Sequence, residues 1–138
     1  MKANLKIVHW APRVVAILTI LFVSLFAFDS FSAEKTFWNQ ILDFTLHLVP
    51  SFFLISILIL AWKSELLGGI IFILLGLLVS PFIFNMNYAH NQSVAYSLLI
   101  ILIITFPIIL SGILFVISHY LKKKEKSITK QVIKMNEK

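Results

Sequence analysis

Apolar residues fill four long stretches of this chain, near residues 11–28, 41–62, 66–84 and 95–121, with a short polar break between each pair. A bilayer core about 30 Å thick is crossed by about 20 apolar residues of helix, so each stretch predicts one membrane-spanning helix. The expected fold is all-α: a four-transmembrane-helix bundle made of two antiparallel hairpins. The bundle takes residues 1–121 as one domain, and a lysine-rich tail takes 122–138. The second and third helices are joined by almost no loop, through Trp62-Lys63-Ser64-Glu65. Ser64 is a good N-cap, and Glu65 suits the positive end of helix three. The break between the third and fourth helices is expected over Asn85–Val94.

Within the stretches, small residues and prolines shape the packing. Gly69, Gly76 and Ser80 lie at spacings of 7 and 11 on one stripe of helix three. Small side chains let another helix approach closely. Packing inside the bundle is the reading the sequence favours, with a self-association face as the alternative. Pro50 in helix two and Pro107 in helix four each free a carbonyl one turn earlier, at Leu46 and Ile103. In lipid such carbonyls need partners. Pro50–Trp62 and Pro107–His119 both run twelve residues from a proline to an aromatic ring, a trace that a duplicated hairpin could leave.

Composition agrees with a membrane protein: 59% of the 138 residues are hydrophobic and 13% are charged, more apolar surface than a soluble domain can hide. The net charge of +6 is concentrated in the tail, which holds seven lysines and two glutamates. Lysines beside a membrane span read as a positive-inside anchor with affinity for anionic headgroups, carried by Lys122, Lys123, Lys124 and Lys126. Nucleic acid is not an expected partner, because no aromatic or glycine pattern accompanies the lysines. Ile128, Val132 and Met135 lie at helical spacing, so the tail reads either as a weakly amphipathic continuation of helix four or as disorder. The absence of cysteine excludes disulfides, thiol redox chemistry and cysteine metal sites.

The beginning of the chain imitates a secretory signal, with Lys2, Lys6 and Arg13 before the apolar stretch Val14–Phe28 and small residues at Ser30 and Ser32. We read it as a retained first helix. Basic residues lie at both ends of the chain and at Lys63, whereas Lys35 is alone in the first break and the third has none. Both termini are then expected on the cytoplasmic side of a multi-pass protein of the cell inner membrane. Trp10 and Trp62 fall at the inner interface and Trp38 at the outer one. Trp38 to Trp62 spans about 36 Å of helix, the distance between two aromatic belts.

Ionisable residues inside a span are costly and mark candidate sites. Asp43 and His47 share a face of helix two, about 7–8 Å and 13–14 Å below Trp38, and Asp29 ends near the same outer depth. Three readings compete. The pair forms a structural hydrogen bond, with His47 also available to a carbonyl freed by proline. Alternatively, Asp29, Asp43 and His47 line an outward-facing cavity for a proton, ion or small ligand. In the third reading they bind zinc or manganese together with His90 of the outer loop. His9, His119, Arg13 and Glu65 sit at the cytoplasmic interface, where solvated charges are favoured over an Arg13–Glu65 pair. His47 lacks an intramembrane histidine partner for haem, so no cofactor is expected. No catalytic motif is present, and no enzymatic activity is expected.

Several stretches carry a resemblance: Trp10-Ala11-Pro12-Arg13, Phe22–Asp29, His47-Leu48-Val49-Pro50, Ala61-Trp62-Lys63 with Glu65 and Gly68-Gly69, and Pro107 with Gly112–Phe115. Over most of residues 10–118 the chain resembles an uncharacterised prokaryotic family of small four-helix membrane proteins, a domain of unknown function. The resemblance implies that fold and no known activity, and the long lysine tail looks like a departure from it. The expected function is that of an accessory or scaffold subunit working through helix–helix contacts, with lipids and either a second copy or another membrane protein as partners. The alternative is an oligomeric small transporter, or an ion- or proton-binding protein, built on Asp29, Asp43 and His47.

Overall fold

The structure is a computed structural model that describes residues 2–31 and 36–136; for residues 2–6, 29 and 30 it describes the helical backbone alone. Its order is α1 (Lys2–Leu25), a 3-10 segment (Phe26–Ser30), α2 (Phe37–Lys63), α3 (Glu65–Asn91) and α4 (Val94–Asn136). All four α-helices are long and apolar enough to cross a membrane. The start of α1, the α2–α3 turn and the part of α4 beyond Ser118 meet at one end of the bundle, as the contacts of Glu65 with His9, Arg13, Ser118 and Lys122 require.

The α2–α3 turn consists of one residue, Ser64, whose extended backbone leaves its carbonyl free to accept the Gly68 N–H at 3.0 Å. Ser64 holds the N-cap position without a side-chain cap bond. The α3–α4 turn is shorter than expected. Residues 85–91 continue α3, and only Gln92 and Ser93 lie outside a helix. Polar side chains that read as a loop bond back onto their own helix instead: Asn87 Nδ2 donates to the Ile83 carbonyl at 2.9 Å. Gln92 adopts a left-handed backbone (φ 51°) and closes α3 by donating its N–H to Tyr88. Ser93 opens α4, its hydroxyl oxygen accepting the Tyr96 N–H at 3.4 Å.

The core is built from one stripe of each helix. Ala16, Ile20 and Val23 of α1 meet Leu54, Ile57, Leu58 and Ala61 of α2, Phe72 of α3, and Ile108 and Phe115 of α4. Phe72 and Phe115, both fully buried, stack with ring centroids 6.0 Å apart. On either side of this stack the α3 and α4 backbones come close. A Cβ on Gly69 would stand 2.8 Å from the Gly112 carbonyl oxygen, and one on Gly112 would stand 2.6 Å from that of Gly69. Gly76 faces Ile109 of α4, and the Ser80 hydroxyl turns back to the Gly76 carbonyl at 2.7 Å. Gly69 and Gly76 are therefore occupied by α4 and leave no glycine face for a second copy.

Prolines lie inside all four helices, at Pro12, Pro50, Pro81 and Pro107. The prolines of α2 and α4 consequently do not single out a duplicated hairpin. The engagement of α2 is uneven. Its buried residues begin at Ser51, whereas its first half packs on Phe28 of the 3-10 segment and on Phe31 just after it, which stand 5.8 and 5.2 Å from Phe44. Between the two halves an apolar crevice of about 470 Å³ opens against α3, beginning at Val49 and Pro50 and facing Val79 and Phe82. At the other extreme, α4 runs 43 residues, about 65 Å of helix. It crosses the 121/122 boundary without a break and continues well past the bundle.

Gly112→Ala and Gly76→Ala separate backbone contact from side-chain contact. The new methyl at 112 meets a carbonyl that cannot step aside, and the one at 76 meets Ile109 Cγ1 at 2.5 Å, a side-chain atom on a β-branched residue that must shift to admit it. Gly112→Ala is expected to lower stability in detergent by about 1–3 kcal/mol, outweighing the better helix propensity of alanine. Gly76→Ala should also destabilise, but by less, because α4 meets it with a side chain and not with a carbonyl. Thermal unfolding followed by circular dichroism checks both, and a Gly112→Ala protein as stable as the parent contradicts the close approach.

Candidate functional site

Polar groups gather in two places, and their chemistry differs. The first is the end where the start of α1, the α2–α3 turn and α4 beyond Ser118 come together. Glu65, in the first turn of α3, is 11% exposed as a side chain, too little for water to solvate a carboxylate. The protein supplies the partners. Lys122 of α4 donates to Oε1, Ser118 donates to Oε2 at 3.1 Å, His9 Nδ1 stands 3.5 Å from Oε1, and Arg13 Nη2 stands 3.7 Å away. Arg13 also donates from Nη1 to His9 Nε2. The His9 ring thus lies between Arg13 and Lys122. The solvated interface charges favoured by the sequence are replaced by a largely dehydrated cluster drawn from α1, α3 and α4. The reason is spacing: Glu65 and Gly69 are one turn apart, as are Ser118 and Lys122, so the helix approach at Gly69–Gly112 carries both sets inward together.

The second place is the outer half of α2. His47 is exposed, and its Nδ1 lies 2.8 Å from the backbone carbonyl oxygen of Asp43. That carbonyl belongs to its own helix and is not the one Pro50 frees, at Leu46. Asp43 is half-buried and makes contacts of its own. The side chains of Asp29, Lys2 and Lys6 lie outside the described residues, as do Glu34 and Lys35 altogether. The 3-10 backbone that carries Asp29 packs beside α2 through Phe28 and Phe44. His90 is in the last turn of α3. Among the described residues no group of three or more His, Cys, Asp or Glu side chains could hold a metal ion. The apolar crevice starts one turn deeper than His47, at Val49 and Pro50.

The remaining polar groups within the spans bond mainly to the helix backbone. The hydroxyls of Ser97, Thr105 and Ser111 each donate to a carbonyl four residues earlier at 2.8 Å. Thr19 of α1 also stands 3.2 Å from the Ser111 hydroxyl, a contact between α1 and α4 that the sequence did not reveal. Of the tail residues assigned to lipid headgroups, Lys122 is turned into the Glu65 cluster, while Lys123, Lys124 and Lys126 are exposed.

Four helices long and apolar enough to cross a membrane make this a multi-pass membrane protein. The chain belongs to the family described as Domain of unknown function (DUF7670), which it matches over residues 1–127. The match takes in the first tail residues, so the apparent departure begins beyond Ser127. No curated protein and no solved structure matches the chain.

The two places should respond differently to substitution. Glu65→Gln leaves Arg13 and Lys122 sharing a site without a counter-charge and is expected to cost about 2 kcal/mol, less than a fully buried pair because Lys122 is partly solvated. Adding Lys122→Met should recover part of that loss. His47→Ala removes a bond to its own helix from an exposed position and should stay within about 0.5 kcal/mol. Unfolding in one detergent gives all three values. Equal losses at Glu65 and His47 would contradict this ranking.

Proposed function

We propose that this protein is a non-enzymatic accessory or scaffold subunit of the cell inner membrane, acting through helix–helix contact with another membrane protein. The observation that carries this reading is the exposed imidazole of His47 at membrane depth on α2. A polar ring facing lipid is costly, and a partner helix placed against the first half of α2 removes that cost. The same half of α2 has no buried residue before Ser51, so it offers a free apolar face around the ring. Lipids are the second partner, at the exposed lysines of the tail. Orientation follows from charge. The end that gathers Arg13, Lys63 and Lys122 continues into Lys123, Lys124 and Lys126, and the positive-inside rule puts it on the cytoplasmic side.

The alternative is an oligomeric small transporter or ion- or proton-binding protein, in which a second copy covers His47 and completes a site with Asp29 and Asp43. It rests on the same exposed ring. The apolar lining of the nearby crevice favours the scaffold reading, since an ion pathway needs polar groups along it.

Purification of the tagged chain from native membranes in a mild detergent should recover a second membrane protein in stoichiometric amount. Asp43→Asn with His47→Ala should release it while helical content stays unchanged. Recovery of the chain alone overturns the scaffold reading. Recovery of a homo-oligomer whose proton or cation flux in vesicles is abolished by the same double substitution selects the alternative.

A further inference from the structure

Two cations share one carboxylate in the Glu65 cluster, and they share it unequally. Lys122 and Ser118 occupy both carboxylate oxygens, whereas Arg13 stands off at 3.7 Å. A guanidinium has five N–H donors and no acceptor. Arg13 uses one on His9, and its Nε is buried with no acceptor among the described residues. The side chain is 13% exposed, so water does little to neutralise it. A dehydrated guanidinium with spare donors is a receptor for an oxyanion.

The surroundings indicate which oxyanion. Arg13 lines a groove of about 390 Å³ between α1 and α2, walled by Trp10 and Trp62 and floored by Ile17 one turn deeper. The guanidinium carbon lies 5.9 Å from the Trp10 ring centroid. Both indoles are more than half exposed, and the α1 surface continues past Ile17 as exposed Leu18 and Leu21. Tryptophan rings sit at headgroup level. A free phosphate would meet three apolar walls here. A phospholipid would meet a matched surface, with its phosphate at Arg13, its glycerol between the indoles and an acyl chain along Ile17 and Leu21.

We propose that this groove binds one anionic phospholipid, with Arg13 as the phosphate ligand and Trp10 and Trp62 as its walls. The preference for an anionic lipid over a zwitterionic one follows from the local charge: a cationic headgroup would face the Arg13 guanidinium that lines the groove. The site differs from the general attraction of the tail lysines in being a single place with an apolar continuation.

Tryptophan quenching tests this in a Trp38→Phe background, which leaves Trp10 and Trp62 as the reporters. The protein is placed in phosphatidylcholine vesicles containing a small fraction of either phosphatidylglycerol or phosphatidylcholine with brominated chains. Brominated phosphatidylglycerol should quench about fivefold more effectively at equal mole fraction. Arg13→Gln should abolish the preference, and Lys123→Gln, Lys124→Gln and Lys126→Gln together should leave it in place. Because Arg13→Gln disturbs the cluster, Trp62→Leu provides a second variant. It keeps every charge, removes one wall and should lose the preference at Trp10. Equal quenching by the two lipids overturns the proposal. So does a preference that follows the tail lysines, or one that millimolar inorganic phosphate removes.

Discussion

In lipid two helices gain little by hiding apolar side chains from each other, so close backbone approach has to hold them together. The contact on which this bundle depends is Gly69 of α3 against Gly112 of α4, where each glycine leaves room for the carbonyl of the other. The rest of the α3–α4 seam follows from that approach. Three residues on from each glycine, Phe72 and Phe115 stack on each other with no exposed surface left on either ring. One turn outward, Glu65 comes within reach of Ser118 and Lys122. The α1 helix then joins from the side, where Arg13 and His9 approach the same carboxylate and Thr19 meets Ser111.

The two polar places have opposite relations to the fold. Glu65 faces inward and is surrounded by groups from other helices, so it belongs to the architecture. His47 is exposed, and its Nδ1 lies beside a carbonyl of its own helix. The cluster around Glu65 bears on function through its imbalance, since the carboxylate satisfies Lys122 and leaves Arg13 with unused donors beside a tryptophan-lined groove.

The uneven hold on α2 connects these places. Its second half is anchored by Ser51, Leu54, Ile57, Leu58 and Ala61, while its first half rests on the rings of Phe28 and Phe31. The tight turn at Ser64 sets the α2–α3 separation at one end, and the crevice opens toward the other. The length of α4 places a further basic helical surface beyond the bundle on the opposite side.

The number and type of elements were legible in the sequence, because the bilayer sets a length that an apolar helix must reach and four stretches reach it. The family match over residues 1–127 agrees with the resemblance read from stretches such as Trp62-Lys63 with Glu65 and Gly68-Gly69. Helix boundaries were less legible. Asn87 and its polar neighbours read as a loop, yet side-chain bonds to the helix backbone kept α3 intact through Asn91. The site was legible only as a set of polar residues with depths. Whether Glu65 is solvated or enclosed, and whether His47 faces a neighbour or the outside, depends on the rotation of each helix about its axis. In a chain apolar on nearly every face, hydrophobic periodicity does not specify that rotation. The close fit at Gly69 and Gly112 does, and it exists only once α3 and α4 are side by side.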